Sequence, residues 1–236
     1  MTQEEIYARH AAAYDELVSA EDCDGNLIPA LEAICPLRGA RVLELGVGTG
    51  RIARQILDRV AYLVGVDRAP AMLEVARARL GAVPQAAAWE LLEADARALP
   101  LGSGWADLAV AGWVFGHFRE WMPASWKEEL GLALAELSRA LAPGGVIVLI
   151  ETLGTGATSP QPPTPGLAEY YAHLEAQGFG RVAIRTDYQF PDVQTAARIT
   201  GFFFGEDFAA RVRREGWTRV PECTGLWWRR VGAGAG

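Results

Sequence analysis

Short, mostly apolar runs alternate with longer stretches of helical period along most of the chain. RVLEL (41–45), YLVGV (62–66), WELLE (89–93), DLAVAG (107–112) and VIVLIE (146–151) are bounded by Gly, Pro or Asp and read as buried strands. Between them, Pro70 suits a first helical position and is followed by Met72, Leu73, Ala76 and Leu80 at helical spacing. Trp126, Leu130, Leu134, Leu137 and Leu141 mark one face of a further helix, which the turn Pro143-Gly144-Gly145 is expected to end. Strand, helix and strand in repetition predict a parallel sheet covered on both faces, because parallel neighbours need a crossover and right-handed crossovers place helices there. The expected class is α/β, doubly wound, with a mostly parallel sheet.

The pattern changes at 153–166, where LGTGATSPQPPTPG has no apolar period and is expected to form a loop over the sheet edge. A helix over about 167–177, a strand at 181–190, helical material over 192–214 and a last strand at 220–230 would complete the fold. The tail, 231–236, should be frayed. With no internal repeat and no convincing linker, residues 1–236 are expected to form a single domain.

Composition narrows the chemistry. A chain of 236 residues, half of them apolar, can bury a sizeable core, which excludes disorder as its main state. Its 22 Lys and Arg against 29 Asp and Glu give a formal charge of -7, and basic residues cluster no further than pairs such as Arg213-Arg214 and Arg229-Arg230. Without an electrostatic track for phosphates, nucleic acid is not an expected partner. Cys23, Cys35 and Cys223 form no C-x-x-C pair, and with three histidines in the chain neither a metal site nor a disulfide framework is expected. The first residues are polar and acidic where a secretory signal would be basic and then apolar, and no apolar run reaches about 18 residues. A cytoplasmic location and no membrane partner are therefore expected.

VLELGVGTGRIA, residues 42–53, sets Gly46, Gly48 and Gly50 between a strand and the start of a helix. At such a switch in an open sheet, glycines let the backbone turn sharply and approach a ligand closely. The spacing is G-x-G-x-G, and Arg51 occupies the position where the dinucleotide fingerprint has its third glycine, which disfavours a pyrophosphate cradle. Glu44, two residues before the first glycine, would repel a phosphate and suit a cationic ligand.

At these residues the sequence resembles the class I S-adenosylmethionine-dependent methyltransferases of the small-molecule type, in the manner of methyltransferase domain families 11 and 25. The resemblance covers most of residues 1–151. Glu44, Gly46, Gly48 and Gly50 match the family's first motif, whose backbone approaches the methionine part of the cofactor, and Arg51 stands where it could meet the cofactor carboxylate. Asp67 closes the second strand, where the family's acidic residue binds both ribose hydroxyls. Met72 fits an apolar contact to adenine, while Arg68 departs from the more common aliphatic residue. Asp95 and Ala96 stand at the adenine-amine contact, Gly112 ends the fourth strand, and LAPGGVIVLIE matches the turn and fifth strand that follow. The resemblance implies a seven-stranded Rossmann-like methyltransferase fold, S-adenosylmethionine as cofactor with S-adenosylhomocysteine as product, and a small-molecule acceptor. It divides the chain into N-terminal lid helices (1–35), a cofactor-binding core (36–151) and a substrate-side region (152–230) with a helical insertion before the last strand.

Methyl transfer from a sulfonium is an in-line displacement on an already activated donor, so the protein must mainly align the acceptor and exclude water. A general base is needed only for an acceptor that carries a proton. His117, after the fourth strand, is the first candidate, because a histidine with its ordinary pKa near 6.5 can take a proton at neutral pH; helix capping is the alternative. Glu151, ending the fifth strand, is the second, with a structural hydrogen bond as its alternative. Tyr14, in a segment resembling a lid helix, could orient substrate or cofactor, and Tyr7 is a weaker choice. Trp113 and Phe115 are expected to line the cleft, and Tyr170 and Tyr171 to belong to its cover. Phe202-Phe203-Phe204 reads as core, or as pocket or dimer contact where exposed. Two competing readings are a non-catalytic S-adenosylmethionine-binding protein and a nicotinamide-dependent oxidoreductase; a monomer and a homodimer are both compatible with the sequence.

Overall fold

The computed structural model describes residues 3–84 and 86–232. The chain opens with three helices, α1 (Gln3–Arg9), α2 (Ala11–Ser19) and α3 (Leu27–Ile34). Strands and helices then alternate: β1 (Arg41–Leu45), α4 (Ala53–Ile56), β2 (Tyr62–Asp67), α5 (Pro70–Gly81), β3 (Ala88–Glu93), β4 (Ala106–Gly112), α6 (Gly116–Trp121), α7 (Trp126–Ala140) and β5 (Leu141–Thr155). The remainder comprises α8 (Pro165–Ala176), β6 (Gly180–Arg185), β7 (Tyr188–Gln189), α9 (Val193–Phe204), α10 (Glu206–Glu215), β8 (Arg219–Val220) and β9 (Glu222–Arg230).

Seven strands form one sheet in the order β3-β2-β1-β4-β5-β9-β6, with β9 antiparallel to both of its neighbours and every other pairing parallel. Side chains on a strand alternate between faces, and the core divides accordingly. Leu43 and Leu45 of β1, with Ile147 and Leu149 of β5, pack against α7 and α8 on one face. Val42, Leu108, Val146 and Val148 pack against α3, α4 and α5 on the other. Because both faces are covered, β1 is buried over four consecutive residues. The same alternation sends Glu44 to the α4 side and Glu151 to the α8 side. Met72, Leu73, Ala76 and Leu80 form the buried face of α5 as their spacing predicts.

Several boundaries differ from the sequence expectation. Helix α7 ends at Ala140, before the proline turn, and Leu141 is already extended. β5 begins there and carries the Pro143-Gly144-Gly145 turn as an irregularity, where its register with β4 shifts between Ala106 and Leu108. Its far end continues to Thr155, into the segment expected to be loop, and α8 starts at Pro165 within that segment. The strand expected at 181–190 divides, because Arg185 and Asp187 turn the chain out of the main sheet: Asp187 accepts from Arg185 and Arg219 side chains and from Glu222 N. β7 then pairs with β8 in a separate antiparallel ribbon, and Pro221 separates β8 from β9. Val231 donates to Gly145 O at 2.8 Å and so is held, while the expected fraying of 233–236 lies outside the described residues. All three cysteines are free thiols, two of them buried. Among the described residues no helix is long and apolar enough to cross a membrane.

Candidate functional site

The strand order reverses direction between β1 and β4, and open α/β sheets bind ligands at the carboxyl ends of strands beside such a switch point. A cavity of about 640 Å³ lies there, within the roughly 300–1,000 Å³ range of small-molecule sites. The loop after β1 makes its floor. Gly46 has φ +64, and a Cβ on it would collide with the Val114 side chain. Gly48 has φ +54 and lines the cavity, where a Cβ would meet only Gly46 O, at an ordinary contact distance of 3.9 Å. The loop is thus closed on its protein side and open to a ligand on the other.

Asp67, at the end of β2, ties this loop to the next strand. Its Oδ2 accepts from Gly48 N at 2.8 Å and its Oδ1 from Ala69 N at 2.9 Å. Burial raises its pKa above the usual aspartate value, against the backbone N–H groups that hold the charged form. A carboxylate offers about four acceptor positions, so a ligand shares Asp67 with the loop. Arg68, Met72, Ala96 and Gly112 also line the cavity. Arg68 stacks over the Trp121 ring, with Cζ 5.1 Å from its centroid, which accounts for a cation where an aliphatic residue is usual. Asp95 reaches the wall, but Arg97 grips its carboxylate through both Nε and Nη2 at 2.7 and 2.6 Å and holds its pKa low. As an acceptor for a ligand amine it is already engaged.

Three residues expected at this cavity lie behind it. Glu44 is buried beneath the loop, and desolvation pushes its pKa up to about 8, so the fixed negative charge inferred from the sequence is absent at neutral pH. Gly50 packs toward Ala76 and Leu80 of α5. Arg51 turns away from the cavity: its Nη2 is 2.8 Å from Glu21 Oε1 and its Cζ lies 3.5 Å from the centroid of Trp113.

The opposite wall is aromatic. His117 and Trp121 stack with centroids 4.4 Å apart, and Phe118 and Met122 extend the same surface. Trp113 adopts φ +56, a conformation that large residues rarely take outside functional sites. Phe115, by contrast, is in the core at 1% exposure and lines nothing. The sequence reading missed Trp121, Phe118 and Met122, although their spacing from His117 along α6 marks one helix face. Tyr7 and Tyr14, from α1 and α2, close the cavity from above, with rings 5.2 Å apart and edge to face. Tyr7 Oη lies 3.1 Å from His117 Nε2. Burial raises the pKa of both tyrosines, that of Tyr14 to about 12, so both hydroxyls keep their protons.

A second, smaller cavity of about 140 Å³ adjoins the first, and Tyr7, Tyr14, Trp113 and His117 line both. Glu151 belongs to this one and not to the larger. Its Oε1 accepts from Gly116 N at 3.0 Å and from Tyr170 Oη at 3.3 Å, which anchors the first residue of α6 beside His117. Desolvation pushes its pKa up to about 8. Tyr170 and Tyr171 are buried under the sheet and do not cover the cleft; Tyr171 donates to Thr152 O at 2.6 Å. The cover comes instead from α1, α2 and α9, where Phe203 packs 5.6 Å from Tyr14 and Arg198 pairs with Glu16 at 2.7 Å. Phe203 and Phe204 line the small cavity together with Glu21, Tyr188 and Glu222, three residues the sequence reading did not single out. No local motif marks them, since they come from separate parts of the chain.

Comparison with known proteins places this geometry. A family model described as a methyltransferase domain matches residues 43–149, the stretch from β1 to β5 that builds the larger cavity. That stretch resembles a methyltransferase domain. Over 113 residues it is 38% identical to a demethylmenaquinone methyltransferase of Thermus thermophilus, an overlap covering 47% of this chain and 46% of that one. Over 151 residues it is 32% identical to a malonyl-[acyl-carrier protein] O-methyltransferase of Serratia marcescens, covering 64% and 52%. The matches thus span about half the length of these curated relatives. The crystal structure of the YcgJ protein from Bacillus subtilis shares the fold, with a TM-score of 0.59 at 17% identity, covering 89% of this chain and all of that one.

Proposed function

We propose that this protein transfers the methyl group of S-adenosylmethionine to a small-molecule acceptor, with the cofactor in the larger cavity and the acceptor in the smaller. The observation that carries the reading is the Asp67–Gly48 hydrogen bond at the switch point, because it presents an acidic strand end and an open glycine backbone to the same cavity. The residues present fit the cofactor. Gly46 and Gly48 leave room for its methionine part, Asp67 accepts from ribose hydroxyls, and Met72 and Ala96 offer an apolar face to adenine. When bound, the cofactor supplies a methyl group on a positively charged sulfur, which needs no further activation by the protein.

The chain's own work is alignment and exclusion of water. Tyr7, Tyr14, Trp113 and His117 form the partition through which the two cavities communicate. His117 sits at that partition, its Nε2 hydrogen-bonded to Tyr7 Oη, and is the group positioned to take a proton from an acceptor that carries one. Glu151 is a positioning residue, since its carboxyl group holds the start of α6 through Gly116 N. Helices α1 and α2 act as a lid, with α9 as its outer support, whereas α3, expected with them, packs into the core against the sheet.

Calorimetry tests the assignment. S-adenosylhomocysteine should bind the native chain, and Asp67→Ala should weaken it by about 10-fold or more, a loss of about 1.4 kcal/mol or more. Binding of NADH in place of either sulfur cofactor would overturn the reading, and an unchanged Asp67→Ala affinity would show that the ribose is held elsewhere.

A further inference from the structure

The charges around the smaller cavity are unbalanced. Glu21, Glu120, Glu151 and Glu222 all line it, against the single guanidinium of Arg51. That guanidinium is ion-paired, its Nη2 2.8 Å from Glu21 Oε1 and its Cζ over the Trp113 ring, although Nη2 makes no well-aligned hydrogen bond. Glu222 is 1% exposed and its Oε1 accepts from Thr152 Oγ1 at 2.6 Å, but its Oε2 has no hydrogen-bond partner. A buried carboxyl oxygen left unpaired is destabilising, and an incoming donor removes that cost. Around these oxygens stand aromatic faces, those of Tyr7, Tyr14, Trp113, Tyr188, Phe203 and Phe204. Carboxylates supply charge to a cation, and ring faces supply a quadrupole that attracts it without hydrating it.

We propose that the smaller cavity binds its methyl acceptor as an ammonium ion, so that the acceptor class is a small amine, whose nitrogen gains the lone pair that takes the methyl group once one ammonium proton passes to His117, which faces the same space. The inference rests on the methyltransferase reading for the word acceptor, but the preference for a cation is a property of the cavity alone. A carboxylate, the other simple ionic acceptor, would add a negative charge to a space lined by four glutamates, and the cation it would reach, Arg51, is already ion-paired with Glu21. An ammonium ion meets Glu222 Oε2 unpaired and loses no existing partner.

The protonation of the cavity gives the inference a second signature. Nine groups that can hold or lose charge face this space: Glu21, Glu120, Glu151, Glu222, Arg51, His117, Tyr7, Tyr14 and Tyr188. Burial pushes Glu151 up to about 8 and, with Glu21 nearby, raises Glu222 as well, while the three tyrosines are raised and stay neutral. At pH 7 Glu151 is therefore mostly protonated in the empty cavity, and Glu222 is shifted toward its protonated form. A cation beside them favours the charged form, so ammonium binding releases a proton to the buffer, whereas a carboxylate ligand releases none.

Titration calorimetry of the full chain, with and without saturating S-adenosylhomocysteine, tests this at pH 7 in phosphate and in MOPS, which differ in ionisation enthalpy and contain no primary ammonium. The probes are pairs of matched shape: 2-phenylethylammonium against 3-phenylpropanoate, and butylammonium against pentanoate. The ammonium member of at least one pair should bind about 10-fold more tightly than its carboxylate. The difference in enthalpy between buffers should report proton release on ammonium binding, and release should persist in His117→Gln, which assigns it to the carboxyl groups. Glu222→Gln should weaken ammonium binding by about 5-fold or more and leave S-adenosylhomocysteine affinity in place. If that variant does not fold, Glu120→Gln, at an exposed position, should still weaken the ammonium probe. Preference for the carboxylates, equal binding, no ammonium binding at all, or ammonium affinity undiminished in both variants would each overturn the inference. A chain that prefers ammonium but ignores S-adenosylhomocysteine would overturn the methyltransferase reading and leave the cavity's cation preference standing.

Discussion

Tyr7 Oη and His117 Nε2 are 3.1 Å apart, and this one contact joins the first helix of the chain to the first turn of α6, 110 residues later. The phenol is raised well above its ordinary pKa by burial, so it remains a hydroxyl and fixes the orientation of the imidazole without titrating. A lid residue therefore holds the base candidate.

Tyr7→Phe tests that link. It removes one hydrogen bond of about 1 kcal/mol and keeps the ring that packs on Tyr14. Hydrogen exchange over α1 and α2 should quicken while the sheet amides stay as protected as before. Unchanged exchange in both helices would show that packing alone seats the lid.

His117→Ala and Gly48→Val separate proton transfer from alignment. Where alignment dominates, His117→Ala keeps measurable turnover, and Glu151→Gln does too, because the glutamine oxygen can still accept from Gly116 N. Gly48→Val forces a β-branched residue to φ +54 on the cavity floor and should abolish cofactor binding. An obligatory base would show instead as a loss of about 10²- to 10⁴-fold in the His117→Ala rate, with cofactor affinity intact. Normal cofactor affinity in Gly48→Val would sink the alignment argument.

Two aspartates should differ in consequence. Asp95→Ala should weaken S-adenosylhomocysteine much less than Asp67→Ala, because Arg97 already occupies the Asp95 carboxylate while Asp67 supports the glycine loop itself. Equal losses in calorimetry would show that Arg97 releases Asp95 on binding.

Stability should fall on the alkaline side. Glu44 and Glu151 are each pushed up to about 8 by burial, from ordinary values near 4.5, and Glu222 is raised by burial as well. Between those limits the folded chain binds more protons than the unfolded one, so stability declines as pH rises and the loss is complete once pH passes the folded values. Each pKa unit corresponds to about 1.4 kcal/mol at most. Thermal melts should show Tm decreasing from pH 6 to pH 9, and Glu44→Gln should flatten the slope. A Tm that climbs over this range would contradict the burial argument.

The larger cavity was legible in the sequence because its parts are local. Gly46, Gly48, Asp67 and Met72 lie within one strand-helix-strand-helix stretch, so spacing alone brings them together. The direction of a side chain was less legible. Glu44 sits in the same motif, yet strand alternation buries it toward α4, and Arg51 is drawn off by Glu21, a partner thirty residues upstream. The smaller cavity draws Glu21, Glu120, Tyr188 and Glu222 from four distant parts of the chain, and no period or motif connects them. Strand ends were misplaced for a related reason. Asp187 gathers Arg185, Arg219 and Glu222 N around one carboxylate, and this tertiary knot, invisible to local pattern, ends β6 where the apolar alternation would have continued it.

Tyr7 and Tyr14 belong to the walls of both cavities, and both stand on the first two helices. Whatever lifts those helices uncovers the two chambers together. One motion then reshapes both chambers, so a change in how α1 and α2 are seated alters the two spaces together.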